Sequence, residues 1–246
     1  QIETRFGVRT LEFSAEKGFL LNGKSILLQG GCIHHDNGLL GAAAYDAAEN
    51  RKITLLKNEG FNALRTAHNI PSEHFLNACD SIGMMVIDES FDQWLRAKNP
   101  DDYHQYFEEY SDRDMQTMIL RDRNHPSIIM WSIGNEIPGR ITTEGQAVAA
   151  RLRNTILSLD STRAITAAIP EWDDFRHSWE DDNNLAFKSL DVGGYNYLYD
   201  KYESDHKSYP NRVMVGLETY PKRASENWVL AEKLPYVIGD FVWTAM

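Results

Sequence analysis

Short apolar runs alternate with longer stretches of helical periodicity from Ser25 onward, and little linker sequence separates them. Apolar runs of this length between amphipathic helices are typical of the βαβ units of a parallel sheet. The runs predict eight strands, at residues 26–33, 61–66, 84–89, 127–133, 164–169, 192–197, 213–218 and 236–243.

Amphipathic segments fill most of the intervals between these strands. The predicted helices are 45–58, 72–82, 103–124, 144–159, 199–207 and 225–233, while residues 173–188 are less regular. Gly60 and Gly83 are expected to end the first two helices. No G-x-G-x-x-G follows the first strand to indicate a dinucleotide crevice. The pattern therefore predicts a (β/α)8 barrel, an α/β fold that ordinarily takes roughly 250 residues.

Both ends of the chain suggest a piece of a longer protein. Residues 5–13 alternate as a strand would before the barrel begins, and the chain stops just after the eighth strand without an eighth helix. We expect residues 1–13 to be a junction from an upstream domain and residues 14–246 to form the barrel, truncated after its last strand.

Composition excludes several classes of protein. Of 246 residues, 25 are Lys or Arg and 36 are Asp or Glu, so the formal net charge of −11 disfavours nucleic acid as a partner. The apolar runs are far shorter than the roughly 20 residues that cross a bilayer. We therefore expect a soluble protein with no membrane partner, whose compartment and oligomeric state stay open. Cys32 and Cys79 show no CxxC spacing and are expected to be buried thiols.

Polar residues at the carboxyl ends of barrel strands are the candidates for chemistry, because active sites of this fold lie at that face. Glu136 follows the fourth predicted strand and Glu218 ends the seventh. A pair of carboxyl groups facing each other across a barrel mouth suits glycoside hydrolysis, in which one protonates the leaving oxygen and the other attacks the sugar or activates water. No lysine lies at a predicted strand end, which argues against an aldolase that forms a Schiff base with its substrate.

A cluster at the end of the first strand allows a different interpretation. His34, His35 and Asp36 could belong to a metal-dependent hydrolase, but the fifth and sixth strand ends lack the further histidines that such a site needs. We therefore expect His34 and Asp36 to contact sugar hydroxyls, and we predict neither a metal nor a cofactor.

Four segments resemble glycoside hydrolase family 2, the group of β-galactosidases, β-glucuronidases and β-mannosidases. Residues 124–136 read NHPSIIMWSIGNE, like the acid/base signature of that family. Residues 62–68, 76–89 and 240–243 read NALRTAH, LNACDSIGMMVIDE and DFVW and match its other patterns. The sequence departs from the family at residues 69–71, where the family usually has Tyr-Pro, and before Glu218, where Cys or Ser is usual.

The resemblance implies roles for individual residues. Glu136 corresponds to the general acid/base, Glu218 to the nucleophile and Tyr197 to the tyrosine that donates a hydrogen bond to it. The residues implied to bind or position substrate are Asn135 at the sugar 2-hydroxyl, His34 and His68 along the pocket, Arg65 beside the nucleophile and Trp243 beneath the sugar. A retaining mechanism with the two carboxyls roughly 5 Å apart is then expected.

Chemistry favours some of these roles independently. A guanidinium and a phenol would stabilise an ionised nucleophile, and Arg65 and Tyr197 could supply them. Asp88 and Glu89 are interpreted either as partners of Arg65 or as a structural salt bridge, and Trp131 is placed in the core.

We thus expect the catalytic barrel of a retaining exo-β-glycosidase that resembles bacterial β-galactosidases and hydrolyses terminal β-D-galactosides. It would bind a small carbohydrate and adjoin further domains of its parent chain. The alternatives are a β-glucuronidase or another family 2 β-glycosidase, and a noncatalytic carbohydrate-binding barrel.

Overall fold

Eight parallel strands close into a barrel in the computed structural model, which describes residues 3–171 and 179–246, with the backbone alone at residues 180–183. Each strand pairs with the next along the chain, and the last pairs with the first. The predicted α/β barrel is confirmed. Its strands are β4 (Leu28–Ile33), β5 (Ala63–Thr66), β6 (Met85–Glu89), β7 (Ile128–Asn135), β8 (Ala164–Ile169), β9 (Val192–Asn196), β10 (Val213–Thr219) and β11 (Val237–Val242).

Seven α-helices accompany these strands within the described residues. They are α1 (Asp46–Asn58), α2 (Glu73–Ile82), α3 (His104–Asp122), α4 (Thr143–Leu159), α5 (Trp179–Ala186), α6 (Tyr202–Ser208) and α7 (Ala224–Lys233). The six predicted helices are present within a few residues of their expected bounds, although 199–207 divides into a 3-10 turn and α6. Of the irregular segment 173–188, residues 173–178 lie outside the described residues.

Local sequence explains where α2 begins and ends. The Ser72 hydroxyl accepts a hydrogen bond from the Phe75 backbone N–H at 3.1 Å, which satisfies a free donor of the first turn. Gly83 follows the helix with φ of 78°, a left-handed conformation that glycine adopts without steric cost. These two signals lie in the sequence itself, which is why this helix could be predicted closely.

A small antiparallel sheet precedes the barrel and was not predicted. Its strands are β1 (Leu11–Ser14), β2 (Gly18–Leu21) and β3 (Lys24–Ser25), in that order. The prediction of a strand at 5–13 was therefore correct in kind but placed too early, and the first barrel strand begins at Leu28 rather than residue 26. Strand β1 crosses the expected junction at residue 13, so the division into junction and barrel stays a prediction.

The core has two layers that follow from the alternation of strand side chains. The inner cluster fills the barrel and includes Ile87 and Phe241, and Phe19 of β2 belongs to it as well. The outer cluster, which includes Val86, joins the barrel to the helices. The two sides of each strand are thus both buried, which explains the near-continuous apolar runs in the sequence.

Other expectations about single residues are also met. Cys32 and Cys79 are free and buried. Trp131 is fully buried, and its indole N–H donates to Asp160 at 2.9 Å. The polar group of this core side chain is therefore hydrogen-bonded. None of the described helices has the length and apolar character that crossing a bilayer requires.

Candidate active site

Glu136 and Glu218 meet at the carboxyl-terminal mouth of the barrel. Glu218 lies in β10, and Glu136 comes directly after β7. Glu136 and Tyr197 are non-glycine residues in the left-handed region, with φ of 43° and 60°. Such conformations cost about 1–3 kcal/mol each and persist where surrounding contacts hold them, most often at functional sites. The strand ends therefore turn sharply at two of the residues that the sequence selected.

Glu218 is held by two donors from other strands. Arg65 of β5 donates from Nη1 to Oε1 of Glu218 at 2.9 Å, and the Tyr197 hydroxyl donates to Oε2 at 2.7 Å. The Glu218 residue is 4% exposed, so both contacts form away from bulk water. Burial and the hydrogen bond to Glu218 raise the pKa of Tyr197 above its ordinary value, so the phenol keeps its proton and remains a donor.

Arg65 is the central cation of this network and is fully buried. Its Nε and Nη2 groups donate to the two oxygens of Glu89 at 3.0 and 2.9 Å, and Nη2 also donates to Oδ1 of Asn135 at 2.8 Å. Burial by itself would raise the pKa of Glu89, but the Arg65 charge and hydrogen bonds from His68 and Ser132 lower it to about 2. The interpretation of Glu89 as a partner of Arg65 is confirmed.

Asp88 does not share that role, which corrects part of the same interpretation. It precedes Glu89 in β6 and therefore points to the opposite face of the strand, toward the helix layer. Burial and the charge of Asp122 in α3 raise its pKa well above the ordinary value. The pair 88–89 thus divides between the two layers of the barrel.

Glu136 has a different environment from Glu218. Its Oε1 accepts a hydrogen bond from Nδ2 of Asn196 at 2.9 Å, and the side chain is partly buried. Burial raises its pKa, the Asn196 hydrogen bond opposes that effect, and the charge of Glu218 raises the pKa further. This carboxyl is therefore inclined to hold a proton more strongly than an exposed glutamate does.

A continuous chain of hydrogen bonds joins the two carboxyl groups. From Glu218 it passes through Arg65 to Asn135, whose Oδ1 also lies 3.3 Å from Nδ2 of Asn196, and Asn196 donates to Glu136. The ends of four strands, β5, β7, β9 and β10, are thereby fixed relative to one another. The arrangement can hold one carboxylate for attack and one carboxylic acid for proton donation in one pocket.

Aromatic rings form one wall of the mouth. Trp243 stacks on His68 with ring centroids 5.0 Å apart and an interplanar angle of 8°, and His34 meets Trp243 edge-on at 5.0 Å. His68 also contacts Glu89, with Nδ1 2.8 Å from Oε1. The predicted pocket residues His34, His68 and Trp243 therefore lie together, next to the Arg65 network.

Asp36 takes no part in these ring contacts, although it lines a cavity together with His34. It is exposed, and its Oδ1 accepts a hydrogen bond from the Gly38 backbone N–H at 2.6 Å. His35 instead approaches the Ala42 carbonyl, at 3.1 Å. Within residues 3–171 and 179–246, no group of three or more His, Cys, Asp or Glu side chains could hold a metal ion. The contact of Asp36 with a sugar hydroxyl stays a prediction.

Sequence reasoning missed three polar residues of the site. Asn196 was visible at a strand end but received no role, although it is the hydrogen-bond partner of Glu136. Asp92 and Lys98 lie in the connection between β6 and α3 and contact Asn135. No pattern in the sequence distinguishes them, because a single Asp and Lys in a loop are ordinary surface residues.

Comparison with known proteins agrees with this geometry. Residues 14–207 match the family model described as glycosyl hydrolases family 2, TIM barrel domain. The chain belongs to glycoside hydrolase family 2. A solved family 2 member from Bacteroides cellulosilyticus is 50% identical, with a TM-score of 0.92 over 98% of this chain and 30% of that one.

Family 2 relatives with different sugar names match the chain. β-Galactosidase BoGH2A of Bacteroides ovatus is 35% identical over 88% of this chain and 28% of that protein. A β-glucuronidase from Bacteroides uniformis, solved in covalent complex with cyclophellitol-6-carboxylate aziridine, is 25% identical, with a TM-score of 0.78 over 97% of this chain and 33% of that one. The chain thus spans about a third or less of the length of these family 2 relatives.

Proposed function

We propose that this barrel is the catalytic domain of a retaining exo-β-glycosidase that hydrolyses terminal β-D-galactosides. The observation that carries the proposal is one hydrogen-bond network that joins two carboxyl groups in different environments at the barrel mouth. Glu218 faces two donors, the Arg65 guanidinium and the Tyr197 phenol. Glu136 has a raised pKa. Carboxyl groups with separate environments are what an acid and a nucleophile require.

In the first half-reaction, Glu136 protonates the glycosidic oxygen while Glu218 attacks the anomeric carbon. The C–O bond to the leaving group breaks, and an ester between the sugar and Glu218 forms. Arg65 and Tyr197 hold the attacking oxygens in place. Asn135 would bind the sugar 2-hydroxyl, and the Trp243 ring would lie against the apolar face of the sugar.

In the second half-reaction, the ester has removed the negative charge of Glu218. Glu136 gave up its proton in the first half-reaction, and one of the influences that raise its pKa is now lost, so it stays ionised and can act as a base. It accepts a proton from water as the water attacks the anomeric carbon, and free Glu218 is restored. Two inversions at that carbon give net retention.

The choice of galactose rests on the similarity to BoGH2A and on the sequence around the first two strand ends. A glucuronide is the second candidate, favoured by the structural likeness to the Bacteroides uniformis β-glucuronidase. Both sugars would use the same carboxyl pair, so the mechanism and the sugar can be tested separately.

The deciding experiment is to incubate the intact parent protein with 2-deoxy-2-fluoro-β-galactosyl fluoride and map the peptides by mass spectrometry. We expect a galactosyl adduct on Glu218. The glucuronyl analogue is the parallel probe, and an adduct from it alone would transfer the proposal to glucuronides. A folded protein that binds sugar but forms neither adduct would instead be a noncatalytic carbohydrate-binding barrel.

A first mutational prediction follows. Glu218→Gln should reduce kcat more than about 10³-fold, because the nucleophile is lost, while sugar binding is largely kept. The matched control is Glu108→Gln, which changes an exposed glutamate on α3. Turnover by Glu218→Gln at the parent rate would show that another residue is the nucleophile.

A further inference from the structure

A lysine ammonium lies beside the turn that carries Glu136. Lys98 comes from the connection between β6 and α3, and its side chain is 17% exposed. Its Nζ donates to the backbone carbonyl of Asn135 at 2.9 Å and to Oδ1 of Asp92 at 2.6 Å. The ammonium is thus held by two acceptors, one of which belongs to the residue directly before Glu136.

The carboxylate of Asp92 completes this attachment. Its Oδ1 accepts a second hydrogen bond, from Nδ2 of Asn135 at 3.0 Å. Asn135 is therefore held from one loop by both its backbone carbonyl and its side-chain amide. Because Glu136 adopts the disfavoured left-handed region, with φ of 43°, contacts that hold the preceding peptide stabilise the turn.

The same pair places charge near the acid/base candidate. Described charged groups on several elements act on Glu136: Glu218 of β10 raises its pKa, whereas Lys98 and Arg65 of β5 lower it. Tyr197, after β9, keeps its proton and adds no charge. Asp92 is paired with Lys98 and reduces the net positive charge of that loop.

We propose that Lys98 and Asp92 are positioning residues that together set the pH range in which Glu136 holds its proton and fix the Asn135–Glu136 turn. The inference rests on the proposed function, in which Glu136 is the acid/base. The mechanism described above uses neither residue. The positive charge of Lys98 favours the ionised form of Glu136. The negative charge of Asp92, which is paired with Lys98, partly offsets that effect.

Two substitutions in the intact parent should therefore have opposite effects. Lys98→Met removes the cation, so we expect the basic limb of the kcat/KM profile for an unactivated aryl β-galactoside to move up by about one pH unit. Asp92→Asn leaves the ammonium uncompensated, so the limb should move down. Lys98→Arg should restore the parent position, and Lys207→Met, on the exposed face of α6, is the matched control.

A second measurement does not depend on turnover. Carbodiimides label protonated carboxyl groups, so the pH midpoint of Glu136 labelling, followed by peptide mapping, reports its proton affinity directly. We expect the pH midpoint to rise by about one unit for Lys98→Met, which is a tenfold increase in the proton affinity of Glu136. For Asp92→Asn we expect the midpoint to fall. These shifts are expected even if the parent hydrolyses neither galactosides nor glucuronides, which separates this inference from the proposed function.

The inference is overturned by either of two results. One is a uniform loss of activity at every pH with an unmoved labelling midpoint, which a purely structural role would produce. The other is a shift of the labelling midpoint in the same direction for both variants. Loss of the cation and loss of the anion should move it in opposite directions, so a common direction would indicate a general loosening of the turn.

Discussion

Asp88 and Glu89 are neighbours in β6 and both are fully buried, yet their pKa values shift in opposite directions. Glu89 points into the barrel, where the Arg65 charge lowers its pKa to about 2 against the effect of burial. Asp88 points to the helix layer, where burial and the charge of Asp122 raise its pKa well above the ordinary value.

The difference lies in the partner and not in the degree of burial. Glu89 accepts hydrogen bonds from Arg65 and from the Ser132 hydroxyl, the latter at 2.7 Å. Neither oxygen of Asp88 has such a partner among the described residues, and Arg121 donates to Asp122 instead. A buried carboxyl keeps its charge only where a donor network replaces water, so Glu89 stays ionised at the mouth, whereas Asp88 favours the neutral acid.

The largest expected effect comes from removing the cation of the mouth. Arg65→Met leaves Glu89 and Glu218 buried without their common partner, which should cost about 3 to 5 kcal/mol of unfolding free energy. Activity should fall with it, because the nucleophile candidate loses a donor. Urea unfolding of the parent protein measures the change, and Arg65→Lys is the companion variant, since it keeps the charge without the bidentate geometry.

Stability of Arg65→Met equal to that of the parent would contradict this view. It would mean that the two carboxyl groups can be held neutral at little cost, as Asp88 is, and that the contrast between the mouth and the outer layer is small.

A smaller effect is expected from neutralising the inner carboxyl. The pKa of Glu89 falls from an ordinary 4.5 to about 2, which corresponds to about 3 kcal/mol. Because the folded-state pKa is the lower one, this contribution is present above pH 4.5 and is lost as the pH falls toward about 2. Glu89→Gln should therefore be less stable at pH 7 and show a weaker pH dependence over that acidic range.

Unfolding free energies measured from pH 2 to pH 7 check this prediction, with Glu108→Gln as the exposed control. A parallel pH dependence in Glu89→Gln and the parent would assign the acid sensitivity to other groups.

The smallest effect is expected on the outer face of the strand. The raised pKa of Asp88 means that its contribution to stability is complete below the ordinary value of 3.8 and is lost as the pH rises through the folded-state value. Asp88→Asn is uncharged at every pH, so it should match the parent in acid and be more stable than the parent near pH 8.

Thermal unfolding at pH 4 and pH 8 is sufficient to test Asp88→Asn. Strong destabilisation at pH 8 would show that Asp88 is ionised and paired, and the comparison with Glu89 would then no longer hold.

Much of the candidate site could be predicted because the barrel fold places chemistry at strand ends. Glu136, Glu218, Tyr197 and Trp243 follow apolar runs directly, so their common location needed only the strand assignment. The small antiparallel sheet before the barrel was missed because its strands have at most four residues each, too few for a clear alternation.

Loop residues were beyond sequence reasoning for a different reason. The connection from β6 to α3 carries Asp92 and Lys98, and nothing local to it indicates that the chain turns back onto Asn135. The residues 88–89 show the same limit, since the sequence places both on one strand but does not say which face meets Arg65 and which meets Asp122.

The sequence by itself determined the order of strands and helices, the barrel class and the strand ends where polar residues accumulate, because these depend on hydrophobic periodicity. Only the tertiary structure decided which charges meet. Closure of the sheet brings Arg65 to Glu218, 153 residues later in the chain, at 2.9 Å. Electrostatic interactions depend on distance and burial in space, and separation along the chain determines neither.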